Sequence, residues 1–147
     1  MAHVFERILG IPLTRARRDA LMANTLSGRS GPDAAAYVLA GVQHNTEKAG
    51  ALLAAQGIFA IACTYGLDHG WPRGLAIAAI LLLVAGAMLA MSMLRSTAAP
   101  FRHGEEDKRL KIMFDLLLLR MVRFNIALYC TFLSVLLLGI AAIRFAY

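Results

Sequence analysis

Lys48, Gln56 and Thr64 stand eight residues apart in the chain, with Leu52 and Ala60 between them. Eight residues is a little over two helical turns, so on a helix the three share a slowly drifting face. Gln56 is an amide in the middle of an uncharged apolar run. In hydrocarbon such a group must face a partner helix or water, because an unpaired amide there is costly. Two roles fit it: a structural hydrogen bond between helices, worth about 1 kcal/mol, or the lining of a pore. Catalytic chemistry is poorly served. No Ser/His/Asp set, metal-ligand cluster or glycine-rich phosphate loop is present. Glu47 and Lys48, with Asn45 and Asn125, are the groups available for lipid chemistry at a membrane surface, but adjacent helical residues point in different directions. His3, His44, His69 and His103 lie outside the apolar runs, whereas a b-type haem needs axial ligands within the bundle. Cys63 and Cys130 have no ligand-spaced neighbours and read as plain buried thiols. The expectation is a protein without enzymatic activity, cofactor or metal.

The elements that must carry these residues follow from composition. The chain has 147 residues, 59% hydrophobic and 16% charged, against about 45–50% apolar and about 25% charged in soluble domains. The excess is clustered: residues 49–67, 74–94 and 124–143 contain no charged side chain. A bilayer core of about 30 Å is crossed by roughly 20 apolar residues as a helix, which satisfies every backbone group internally. The fold expected is therefore all-α, an integral membrane protein with three transmembrane helices. Asp68-His69-Gly70-Trp71-Pro72-Arg73 forms a tight turn between the first two. Trp71 and Tyr65 suit the headgroup level.

Orientation follows from the basic residues. Thirteen of the 15 precede the first span or lie between the second and third; only Arg73 and Arg144 lie on the other side. This positive-inside bias predicts a cytoplasmic N-terminus and a periplasmic C-terminus. The net charge of +6 points to anionic lipid as a partner and not to nucleic acid, for which no Lys/Arg stripe with interleaved aromatics exists.

Two helices are expected to extend into the cytoplasm. Ser30-Gly31-Pro32-Asp33 resembles a helix start with a capping Ser and an early Pro. A continuous helix over 33–67 would be about 50 Å long. Glu105, Glu106 and Asp107 place acids at a second helix start. Beyond them Leu110, Met113, Phe114, Leu117 and Met121 share one face. Arg120 and Arg123 can extend toward lipid phosphates. Residues 95–104 read as the connecting loop. The chain thus divides into an N-terminal region, 1–30, and one transmembrane helical domain, 31–147. Residues 8–13 are too short and too broken by Gly10 and Pro12 to be a secretory signal. In the N-terminal region, Val4-Phe5 with Ile8-Leu9, and 13–26, read as short amphipathic helices that lie on the membrane or pack on the cytoplasmic stubs.

Small residues crowd the first two spans: Gly50, Ala54, Gly57 and Ala60, then Ala78, Ala79, Ala85, Gly86 and Ala90. They allow close helix approach, inside one subunit or at a homo-oligomer seam.

The stretch Asn45-Thr46-Glu47-Lys48-Ala49-Gly50-Ala51-Leu52-Leu53-Ala54-Ala55-Gln56-Gly57 resembles the transmembrane effector family of Pycsar antiphage systems. Those proteins carry an acidic-x-Lys-Ala sequence, then Leu-Leu and a polar-Gly step, as their first span begins. Leu119-Arg120-Met121-Val122-Arg123-Phe124, leading into Leu136-Leu137-Leu138-Gly139, is similar to that family's final helix. The resemblance covers roughly 33–143. It implies a toxic effector of the bacterial inner membrane, quiet until infection produces an activating cytoplasmic protein or nucleotide signal. The effector then multimerises and breaches the membrane. Three spans cannot enclose a water path alone, so a pore needs several copies. Lys48, Gln56, Gly57, Ala60, Thr64 and Gly86 are the candidates for pore lining and helix packing. Glu47, Trp71, Arg120 and Arg123 are the candidates for the membrane interface. The competing expectations are a non-conducting anchor for a cytoplasmic partner, a holin-like lysis protein, and a lipid-modifying enzyme.

Overall fold

The computed structural model describes residues 14–94 and 106–146. The reading of 95–104 as a loop, the short helix around Val4 and Leu9, and the positions of His3 and His103 lie outside the described residues. Among those described there are helices and turns but no strand: α1 (Arg15–Thr25), α2 (Gly31–Asp68), α3 (Arg73–Leu94) and α4 (Glu106–Ala146). The chain is an all-α protein with three helices long and apolar enough to cross a membrane. At most 28% of the most apolar window of each is buried in the bundle. Isoleucine, leucine, methionine and phenylalanine side chains cover the remainder, among them Ile61, Met88 and Phe132. A face of that size requires lipid as its solvent.

The helix ends have local causes. Ser30 occupies the N-cap of α2, Pro32 sits in the first turn, and Ala34 N–H donates to Ser30 O at 2.8 Å. The Ser30 hydroxyl does not cap the backbone as expected; it donates to the Asp33 carboxylate at 2.5 Å. A carboxylate three residues on competes for it as a charged acceptor. At the other end α2 stops on a Schellman turn. Gly70 adopts φ +86°, Trp71 N–H donates to Gly66 O at 2.9 Å and Gly70 N–H to Leu67 O at 3.5 Å. The turn folds the Trp71 indole over Gly66, where a Cβ would collide with the ring. Trp71 is therefore half-buried and packed on the outer end of the bundle core. Tyr65 instead stays exposed, stacked on His69 with ring centroids 3.8 Å apart.

The core is a column. Its outer end holds Cys63, Ala79, Leu83 and Leu138, with Phe59, Ala60 and Trp71 against them. Ala49, Ala90 and Met93 pack lower down, with Leu53 and Phe124. At the end away from the Gly70 turn, Val38, Phe114 and Leu118 join the stubs of α2 and α4. The α1 side chain Met22, and Leu26 just after the helix, pack on this last cluster. Of the two placements open for 13–26, the structure shows docking on the stubs. A 2.8 Å ion pair between Asp19 and Lys111 supports it, and Arg29 lies 3.8 Å above the Tyr37 ring. Phe114 is buried as its periodicity implies, whereas Met121 is exposed. The neighbouring Leu118 takes the inward place.

Candidate functional site

Gln56 of α2, Gly86 of α3 and Thr131 of α4 belong to one buried contact among the three long helices. The Gln56 side chain is 3% exposed and its Nε2 donates to Thr131 Oγ1 at 2.7 Å. The Thr131 hydroxyl donates in turn to Ala127 O at 2.8 Å. Gly86 leaves the space for the amide, since a Cβ there would stand 2.6 Å from Gln56 Nε2 and 3.2 Å from Ala127 O. The contact uses one half of the amide. Gln56 Oε1 is buried with no hydrogen-bond partner. Exchanging the amide O and N leaves the other half unpaired, because only Thr131 is in reach of the one bond made.

The same arrangement recurs nearer the α1 end of the bundle. Arg120 Nη1 donates to Thr46 Oγ1 at 3.0 Å, and Thr46 donates to Val42 O at 2.9 Å. Arg123 Nη1 reaches Ser92 Oγ at 3.4 Å and Ser92 O at 3.5 Å, and Ser92 donates to Leu89 O at 2.6 Å. In each case a hydroxyl satisfies its own helix and accepts from a neighbour. Both guanidinium groups are half-buried and bridge sideways to α2 and α3. Further out, Ser134 Oγ is fully buried and donates to Ala79 O at 2.9 Å.

The expected line of Lys48, Gln56 and Thr64 does not share one face. Gln56 is buried, while Lys48 and Thr64 are exposed. Eight residues overshoot two turns by about 80°, so sixteen rotate the face by about 160°. The Thr64 hydroxyl bonds its own helix, at Ile61 O, 2.8 Å away. Glu47 also lies exposed beside Lys48. Small residues divide between the two roles expected of them. Ala79, Gly86 and Ala90 of α3 are buried in the bundle, and Ala60 is half-buried within it. Gly50, Ala54 and Gly57 of α2 face outward, with open space where a Cβ on either glycine would stand.

Thr131 and Ser134 are the functional candidates that sequence reasoning missed. Their signal was present: 120, 123, 127, 131 and 134 are spaced by three and four, so these two polar residues share a helix face with both arginines. No family model matches the chain, and no curated protein or solved structure does so either.

Proposed function

We propose that the chain is a membrane effector of a bacterial antiphage defence system. It sits in the inner membrane with its N-terminus cytoplasmic and its C-terminus periplasmic. When activated by a cytoplasmic protein or nucleotide signal it assembles as a homo-oligomer and forms a pore or disrupts the bilayer. The resemblance of 45–57 and 119–139 supports the defence setting. The observation that carries the membrane-opening part is the half-satisfied amide of Gln56 at the bundle centre. A buried unpaired carbonyl oxygen costs about 1–3 kcal/mol, and intramembrane polar groups are retained where they serve a path. The outward glycines of α2 supply a face on which copies can approach closely. The exposed Lys48 fits contact with anionic lipid at the cytoplasmic surface, while Arg120 and Arg123 turn inward to Thr46 and Ser92.

Reconstitution tests this directly. Liposomes carrying the purified chain are expected to release an encapsulated dye, and the Gln56→Leu variant to release less at equal incorporation. Equal leakage from the variant removes the amide from the mechanism; tight liposomes with the parent chain, together with a monomeric mass in detergent, remove the pore.

A second reading has its own observation. Gly31, Pro32, Ala35, Leu39, Arg109, Leu110 and Met113 line a mostly apolar groove of about 360 Å³ between the cytoplasmic stubs. That groove favours a non-conducting anchor for a cytoplasmic partner, which tight liposomes and capture of a stoichiometric soluble protein would support.

A further inference from the structure

Positions 120, 123, 127, 131 and 134 hold one face of α4 along about 21 Å at 1.5 Å per residue. Arg120, Arg123, Thr131 and Ser134 put hydrogen-bonding side chains on that face, and Ala127 contributes its carbonyl. Gln56 completes the seam from α2. The opposite face of α4 is bulky and apolar, with Leu128, Phe132, Leu136 and Ile140 each 45–62% exposed. A helix whose polar file points inward and whose apolar face points to lipid is built to line something.

We propose that this inner face of α4 lines the aqueous path of the assembled protein, and that the path passes small anions in preference to cations. The inference rests on the pore reading above and names its lining and its permeant class. Selectivity follows from the groups present. Two guanidiniums stand at the cytoplasmic mouth, followed by the Gln56 amide, all of which can donate to an anion, while the Thr131 and Ser134 hydroxyls keep their single protons on Ala127 O and Ala79 O. No carboxylate occurs within 49–67, 74–94 or 124–143, whereas cation paths are lined by acidic side chains or carbonyl rings.

The closed seam is arranged to open at the contact between α2 and α4. Separating them breaks the Arg120–Thr46 and Gln56–Thr131 hydrogen bonds. It leaves both threonine hydroxyls donating to Val42 O and Ala127 O within their own helices. The N–H donors that lose those two bonds belong to Arg120 and Gln56. Entering water also reaches Gln56 Oε1, which has no partner in the closed bundle. Wetting therefore offsets part of the opening cost.

The test uses the full chain in liposomes under a KCl gradient, in a Cys63→Ala, Cys130→Ala background. The reversal potential is expected on the chloride side of zero, and Arg120→Gln with Arg123→Gln is expected to move it toward zero. A charged, water-soluble methanethiosulfonate is expected to abolish current in the Ser134→Cys variant. It should spare the Ile140→Cys variant on the lipid face. Current before the reagent shows that each variant has folded. A reversal potential on the potassium side overturns the anion assignment. Block at Thr64→Cys without block at Ser134→Cys moves the path to the outer face of α2 and overturns the lining. Liposomes that never conduct overturn the pore reading itself, and this inference with it.

Discussion

Gln56 is a residue whose loss should help the resting fold while harming the activity. Thr131 keeps its own donor bond to Ala127 O when the amide is removed, so Gln56→Leu orphans no donor and deletes one buried unpaired oxygen. Replacing a half-satisfied polar pair by apolar volume is nearly neutral or stabilising. The expected result is an unchanged or raised melting temperature in detergent together with reduced leakage. Gly86→Ala should act in the opposite sense on stability. Its Cβ would meet Gln56 Nε2 at 2.6 Å, and overpacking of this kind costs about 1–3 kcal/mol. Adding Gln56→Ala should recover part of that loss, because the 3.2 Å approach to Ala127 O remains. A thermal-shift series of the two single variants and the double reads both effects. Sequence periodicity marked Gln56 and Gly86 individually. That they touch depends on the mutual rotation of α2, α3 and α4, which no single helix encodes.

At the scale of elements, α1 and the outer turn are the parts most open to test. Asp19 is held below the ordinary carboxylate value of about 3.9, chiefly by its hydrogen bond with Lys111. Desolvation opposes this shift, and the charges of Lys111, Arg15 and Arg18 add to it. A carboxyl whose pKa is depressed on folding stabilises the docked state above its unfolded value, and that contribution is lost as pH falls through the folded one. Amide protection in α1, taken relative to the intrinsic exchange rate at each pH, should therefore fall on acidification below about pH 4 while the spans stay protected. Lys111→Gln should remove most of the pH dependence and leave the smaller part due to Arg15 and Arg18. The pair is exposed, with relative accessibilities of 42% and 48%, so added salt should weaken it as well. At the turn, Gly66→Ala should push the Trp71 ring off the bundle. Trp71 is the chain's one tryptophan, so a red-shifted fluorescence spectrum reports the change. The three spans were legible because charge is absent from them and Gly-Pro punctuation separates two of them. The docking of α1 was not, because an amphipathic face such as Met22 with Leu26 specifies an apolar partner but not whether that partner is lipid or the Val38–Phe114 cluster.

The whole molecule is governed by two asymmetries, one of polarity and one of charge. Burial of at most 28% of each apolar window makes lipid the larger share of its environment. The concentration of basic residues beside one face of the bilayer sets which way it points. An impermeant maleimide applied to intact cells should label Arg73→Cys and leave Asp33→Cys unlabelled until the membrane is opened; the reverse pattern would invert the orientation. Both positions are exposed. Charge patterning makes this orientation an expectation, but it carried no sign of the sideways bridges of Arg120 and Arg123 to Thr46 and Ser92. A guanidinium at the interface has phosphate and neighbouring hydroxyls within equal reach, and the helix register decides between them.

The helix Gly31–Asp68 runs 38 residues without interruption, about 57 Å at 1.5 Å per residue. Near its midpoint Ala49 is wholly enclosed against Ala90 and Met93. Val38 and Cys63 tie the same rod into the clusters on either side. With no hinge to absorb it, a displacement at the Gly31 end must be shared with the Gly70 turn.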